Sequence, residues 1–441
     1  MCIDFRIISF FFLLFFRIIP SSVVTPEKND SSYTTHSALP VFPGAVGFGS
    51  ETIAGRGGMV IKVTNLNAAG NGSLKAALDL SIPRVVIFEV AGTIELHEDL
   101  FIRNPYITLA GQSAPSPGIT IRGASITILT HDVLIQHIRI RVGDDQDGPA
   151  KEDRDALKIH NNYKQTHNVI IDHCSFSWSI DENVSIAHPG IYNVSLLNCI
   201  ISEGLYIAGH PEYPEGTPHS KGLMTGPGVT NVTIYGNLFA HNHQRNIQVG
   251  DPSSKNIEEV NNLIYNWGST AADTYGDLNV IGNLFIAGPD TEGPSIQTRS
   301  RQAKLYASDN IGAVWRQGSI PSGEPVTHSG IAESEIMPSS KVYDYVIHNS
   351  GSRPSDRDDV DKRIIHEVKS GTGSFKNSVA EAGGWPDLGQ HRRSVNMEIP
   401  GVGPIPSKPK ADRDGDGYTD VEEWLHKLSS MLDLENNKCQ Q

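Results

Sequence analysis

A chain of 441 residues with a formal net charge of −14, 42 glycines and 26 prolines excludes several classes at once. The acidic balance argues against nucleic acid as a partner, because phosphate binding needs a basic surface; a polyanion can bind only at a local basic patch or through a bridging cation. Apolar residues, 38% of the chain, fall in short β-branched runs between Gly, Asn and Asp, which predicts a mostly β protein built as one long repeat domain.

Residues 1 to 22 carry Arg6, the run IISFFFLLFF, Arg17 and Ser21-Ser22, the pattern of a secretory signal with a short apolar core. No later stretch is long and apolar enough to cross a bilayer, so the mature chain is expected to be secreted, monomeric and free of the membrane. Of the 4 cysteines, Cys2 lies in the signal and Cys439 in the tail. Cys174 and Cys199 remain, and on stacked rungs they form either a disulfide or a pair of buried thiols. Sequons at Asn29, Asn71, Asn183, Asn193 and Asn231 suit a secreted glycoprotein, although the last three fall on predicted strands.

After a polar leader, Gly-rich turns precede a strand near Val60 to Val63, a helix near Ser73 to Asp79 and a strand near Arg84 to Val90. The helix has a Ser cap and presents Leu74, Ala77 and Leu78 on one face, as expected of a cap on a solenoid end. Short strands follow at Ile107, Ile119, Ile126, Val133, Val169, Val194 and Val232. Aligning YGNLF, VNNLI, IGNLF and SDNIG puts Asn237, Asn262, Asn283 and Asn310 in one column with Cys174 and Cys199, spaced in the twenties apart from one longer step. That period predicts a parallel β-helix whose turns are satisfied by stacked Asn amides. Past residue 315 the pattern fades into Gly-, Pro- and Ser-rich coil, with GGWPDL at 383 to 388 expected to pack back on the solenoid. The predicted plan is a domain at 41 to 400, a Pro-rich linker at 401 to 411 and a tail at 412 to 430.

In the tail, Asp412, Asp414, Asp416, Asp420 and Glu423 place oxygen donors at loop positions 1, 3, 5, 9 and 12, with Gly417 at the bend and the Tyr418 carbonyl at position 7. This spacing wraps a calcium ion. A helix, VEEWLHKL, follows, but the Pro-rich approach cannot supply the incoming helix, so an EF-hand-like half-motif is expected.

If the solenoid is real, residues of neighbouring rungs converge. Asp144, Asp145, Asp147, Asp153 and Asp155 precede one strand, Asp172, Asp181 and Glu182 surround the next, and Lys221 and Arg245 bracket the third. Carboxylates facing cations across a groove can bind calcium and an anionic sugar together; the bland alternative is a solvated charged face. His173 is expected to be a structural hydrogen-bonding residue, while His241 and His243, alternating on one strand face, lack a third metal ligand nearby.

FPGAVGFGSETIAGRGG, VTNLNAAGNGSLKAAL, ITLAGQSAP, DALKI, IDHCSFSWSIDENVS, HSKG and NLFAHNHQRN, in this order over residues 41 to 290, resemble the pectate lyases of polysaccharide lyase family 1. The resemblance implies an all-β right-handed parallel β-helix that cleaves polygalacturonate by β-elimination with calcium. It assigns Asp155 and Asp181 as calcium ligands, Lys221 to a substrate carboxylate and Arg245 to the base. Where the family often has a third Asp this chain has Ser185, with Glu182 as the candidate replacement, and Asn246, Ile247 and Gln248 stand where further arginines often occur. The rivals are a pectin lyase acting on methyl-esterified chains, a hydrolase on the same solenoid with paired aspartates, and a non-catalytic pectin-binding β-helix.

Overall fold

The computed structural model describes residues 39–161, 165–316, 324–325 and 330–433. The signal at residues 1 to 22, Cys2, Asn29 and Cys439 lie outside the described residues. Three sheets of ten, nine and eight strands run along a parallel solenoid, its strands paired with their equivalents in neighbouring coils, except that His391–Arg392 adds antiparallel to Val90–Glu95 at the edge of the nine-stranded sheet. One coil passes from the first sheet (Ile107–Ala110) to the second (Ile119–Arg122), then the third (Ile126–Ile128), and returns to the first at Val133–Gln136. Alternation dictates this: in Leu157–His160, Leu157 and Ile159 join the interior cluster while Lys158 and His160 point away from it.

The asparagine column is present and forms a ladder. The Asn237 amide N–H donates to Asn262 Oδ1 at 2.9 Å, Asn262 to Asn283 at 2.8 Å and Asn283 to Asn310 at 2.9 Å. The Cys199 N–H donates to Asn237 Oδ1 across the longest step, 38 residues, and Cys174 N–H reaches Cys199 Sγ at 3.4 Å across 25. Both cysteines are buried free thiols.

A second ladder was not anticipated. Asn193 Nδ2 donates to Asn168, Asn231 to Asn193 and Asn256 to Asn231, at 3.2, 3.0 and 2.8 Å. All four residues adopt the left-handed backbone that Asn tolerates best among residues with a side chain. Asn193 and Asn231 therefore spend their amides inside the protein, and buried Asn183 donates to Ser202 and Asn242. Of the four described sequons, Asn71 is the exposed one.

Helix α1 (Leu74–Leu78) is capped by Ser73, whose Oγ accepts from the Ala76 N–H, and it contributes Leu74, Ala77 and Leu78 to the interior cluster. The run expected as one strand to Val90 is two, Arg84–Phe88 and Val90–Glu95. Coil was expected after residue 315, but helices α2 (Ser339–Asn349) and α3 (Asp359–Ser370) form there. Val342, Val346, Ile347, Ile364, Ile365 and Val368 recur at helical spacing and cover Ile200, Leu238 and Leu263 on the outer face of the second sheet. Arg141, fully buried, ties α3 down through Asp358 and Asp361 at 2.5 and 2.9 Å. Trp385 of the GGWPDL stretch does return to the solenoid, edge-on to Trp178 and under the Arg122 guanidinium.

One interior position breaks the pattern. Glu259 stacks in register between Ile234 and Val280, fully buried, and neither carboxylate oxygen has a hydrogen-bond partner. Burial raises its pKa from 4.5 to about 8. Between those values the folded chain holds a proton the unfolded chain has lost, so stability falls as pH rises through that window. Glu259→Leu should therefore raise Tm, with a gain over wild type that widens between about pH 5 and about pH 8, by roughly a few kcal/mol; thermal melts across that range test it, and a pH-independent gain would contradict it.

Candidate active site

The third sheet carries the charged groups. Its strands Leu157–His160, Glu182–Ala187, Lys221–Thr225 and Ile247–Val249 lie side by side, with Lys158 opposite Ser185 and Glu182 opposite Lys221. Outward positions in this register face a groove of about 440 Å³ lined by Asp99, Asp155, Lys158, Asp181, Glu182 and Met224.

Asp155, Asp181 and Glu182 present ligand atoms within 4.8 Å of one another. Asp155 is buried, and its Oδ1 accepts the Glu182 N–H at 3.1 Å. Burial, and then the Asp181 charge, push its pKa up to about 8. For Asp181 burial works the other way from its partners, and the His219 hydrogen bond at 2.9 Å holds the carboxyl below the usual range. Ser185, where a third aspartate was sought, bonds His160 at 2.9 Å instead, and Glu182 supplies the third carboxylate of the cluster.

Arg245 stands just before the strand Ile247–Val249 in a left-handed backbone conformation, φ 56°. Its Nη1 pairs with Glu182 and lies 3.3 Å from Met224 Sδ. Burial lowers its pKa, while Asp181, Asp273, Tyr275 and Asp155 act to raise it. Lys221 is 3% exposed, and its Nζ is 3.5 Å from the Tyr213 hydroxyl. Gln248 is one rung from Asp273 and bonds it at 2.8 Å.

Other candidates separate from this cluster. Asp145 pairs with Arg122 at 2.8 Å, and with Asp147 it lines a different cleft. Asp172 belongs to the first sheet and holds His173 Nδ1 at 2.8 Å, so His173 is structural as expected. Despite burial, Asp172 raises that imidazole's pKa to about 9. His241 and His243 follow the strand Leu238–Ala240 and do not alternate on it; His241 bonds Asn266 at 2.9 Å and His243 packs edge-on against Phe375. Two residues beside the carboxylate cluster escaped sequence reasoning. Lys158, paired with Asp99 at 2.9 Å, was signalled only by its outward parity in DALKI. His219 lies two residues before Lys221, inside the motif that was quoted for the lysine alone.

In the tail, Asp412, Asp414 and Asp416 also bring ligand atoms within 4.8 Å. Gly415 and Gly417 donate their N–H groups to Asp412 at 2.7 and 3.0 Å, and Gly417 takes φ 99°. Glu423, early in α4 (Asp420–Asp433), has its pKa raised by burial and then by Asp414 and Asp416. The helix docks on the solenoid: Val421, Trp424, Leu425 and Leu428 share a cluster with Val85, Ile87 and Ala110 of the first coils.

The fold and site define the class of parallel β-solenoids that carry an acidic cluster and two cations beside a groove on one sheet, and sequence similarity narrows it. The chain is 32% identical over 427 residues to a probable pectate lyase C of Aspergillus flavus, covering 89% of this chain and 94% of that one. A probable pectate lyase 18 of Solanum lycopersicum is 25% identical over 337 residues, 68% of this chain. The crystal structure of jun a 1, the major allergen from cedar pollen, shares the fold, with a TM-score of 0.53 at 18% identity over 70% of this chain and 92% of that one. No family model matches the sequence. The chain belongs to the pectate lyase family and is a polysaccharide lyase.

The raised Asp155 pKa sets a pH dependence. A cation entering among Asp155, Asp181 and Glu182 would have to displace the Asp155 proton, so the affinity of this cluster for a divalent cation should climb as pH rises toward about 8 and level off above it. Calorimetric calcium titrations in buffers of differing ionisation enthalpy should show proton release at pH 6 to 7 that vanishes above about 9 and in Asp155→Asn.

Proposed function

We propose that this chain cleaves the 1,4-linked galacturonan of pectate by β-elimination in the presence of calcium, leaving 4,5-unsaturated oligogalacturonides, and that it does so outside the cell. The observation that carries the reading is the set of Asp155, Asp181 and Glu182 carboxylates within 4.8 Å, beside Arg245 and in register with Lys221. The donor set fits calcium: it is all oxygen, and Asp155, whose ionisation is opposed first by burial and then by the Asp181 charge, would be stabilised in its charged form by a positive ion among these oxygens. When bound, calcium supplies positive charge to a substrate carboxylate as negative charge grows there.

The chain's own groups do the rest. Lys221, held beside Tyr213, grips a second uronate carboxylate. Arg245 takes the C5 proton, a role supported by the family resemblance. The C5–H electrons form the C4–C5 double bond, and the C4–O bond breaks with its electron pair on the oxygen of the leaving sugar, which takes a proton from solvent. Burial favours the neutral guanidine this requires, and alkaline medium assists it. The same reading makes the solenoid right-handed, α1 its N-terminal cap over a domain at 41 to 400, and the segment 412 to 430 an EF-hand-like calcium half-motif that stabilises the docked α4.

Arg245→Lys should lower the rate on polygalacturonate by about a hundred- to ten-thousandfold, and chelator should abolish it. The check is ultraviolet absorbance of the unsaturated product beside a reducing-end assay. Reducing ends without absorbance would mean hydrolysis, and neither signal from folded protein would mean a binding role. For the tail, saturating calcium at about a hundred times Kd should stabilise by about 2.7 kcal/mol per site; Asp412→Asn with Asp414→Asn should remove one such increment from the calcium-dependent Tm.

A further inference from the structure

The 38-residue step between Cys199 and Asn237 carries a loop that no rung requires, and it delivers two imidazoles to the edge of the carboxylate cluster. His219 Nε2 lies 2.9 Å and His210 Nε2 3.6 Å from the same Asp181 oxygen. The rings stack with centroids 4.3 Å apart and planes 11° from parallel. Their side chains are only 3% and 4% exposed. Buried imidazole nitrogens normally find partners, yet His210 Nε2 and His219 Nδ1 have no hydrogen-bond partner.

We propose that Asp181, His210 and His219 form a second cation site, distinct in chemistry from the all-oxygen set, that takes a zinc-class divalent ion. All three ligand atoms lie within 4.8 Å of one another. Tetrahedral ligands about 2.0–2.2 Å from zinc sit roughly 3.3–3.5 Å apart, so the 3.6 Å His210 contact already fits and the 2.9 Å His219 contact must open by about half an ångström. Two imidazoles and one carboxylate select Zn²⁺ or Co²⁺ over Ca²⁺ and Mg²⁺, with water completing the sphere. His210 Nδ1 accepts the Glu212 N–H at 3.3 Å, so the metal-free ring carries its proton on Nε2. Loading shifts the imidazole proton to Nδ1 and gives up that one long contact with an exposed residue. Because Asp181 belongs to both sets, an ion here withdraws a ligand from calcium; this clause alone rests on the function proposed above.

The test is Co²⁺ titration of the metal-stripped full chain in calcium-free buffer, followed by visible absorption. One equivalent should bind with the intense bands of a tetrahedral ion, be displaced by Zn²⁺ and withstand excess Mg²⁺. His210→Gln and His219→Gln should each weaken binding at least about tenfold while circular dichroism reports a folded solenoid; should one variant misfold, the other decides. Folded wild type that takes up no Co²⁺, or uptake unaltered in a folded variant, overturns the site. Added calcium should raise the apparent Kd for Co²⁺, and indifference to calcium overturns the shared carboxylate. Failure of elimination with Co²⁺ uptake intact would remove the lyase reading and leave this site standing.

Discussion

The later coils of this solenoid turn a corner where the backbone N–H groups of Cys199, Asn237, Asn262 and Asn283 would be buried without partners, and the asparagine ladder is what satisfies them. Asn237 shows the economy of the device. Its Oδ1 accepts from Cys199, and its Nδ2 donates both to the Leu196 carbonyl and to Asn262. A buried amide so used cannot slide by one residue without orphaning several groups at once, each worth about 1–3 kcal/mol. The register of the three sheets follows, and with it the placing of Lys158, Ser185, Met224 and Gln248 on successive rungs of the third sheet. The second ladder, Asn168 to Asn256, pins the other end of the first-sheet strands. The site is thus held by turns remote from it.

Against that rigid frame, the acidic cluster is electrostatically uncomfortable. Three carboxylates stand within 4.8 Å, two of them buried. The fold offsets part of the repulsion with cations drawn from other rungs. Arg245 answers Glu182 and Lys158 answers Asp99, while Asp181 is met by a hydrogen bond from His219, whose pKa burial lowers. Asp155 is left without a cationic contact of this kind and responds by holding its proton. Such residual strain is expected where a site is shaped for a charged species and not for its own stability.

What the sequence made legible follows from how local each signal is. The Asn column could be read because each Asn carries the same apolar flanks, and Asp155, Asp181, Lys221 and Arg245 could be read from short motifs. Lys158 was overlooked because parity on a strand distinguishes inside from outside but cannot distinguish solvent from a groove, and His219 because it lies in the loop before the strand Lys221–Thr225, where no parity applies. Asp145 and Asp147 misled for the converse reason: charge density near a strand says nothing of which corner the loop turns, and Arg122 draws Asp145 elsewhere. Helices α2 and α3 hid among Gly, Pro and Ser, although Val342, Val346 and Ile347, then Val360, Ile364, Ile365 and Val368, are spaced for one apolar face each. Glu259 could not be foreseen as interior, since no local pattern marks a carboxyl that stacks on Ile234.

The tail shows how docking changes the meaning of a motif. An isolated acidic loop followed by fourteen helical residues would be marginal, because short helices draw most of their stability from tertiary packing. Here Trp424, Leu425 and Leu428 bury against the first coils, Glu422 pairs with Arg56 at 2.8 Å, and Ser429 reaches His137 at 2.6 Å. Those contacts lie on the first sheet and the turns beside it, while the groove belongs to the third. On the proposed reading calcium therefore acts twice on one chain in physically separate ways: at the groove it offsets charge among residues that strain the fold, and at the tail it fixes a loop whose helix seals the outer face of the first sheet.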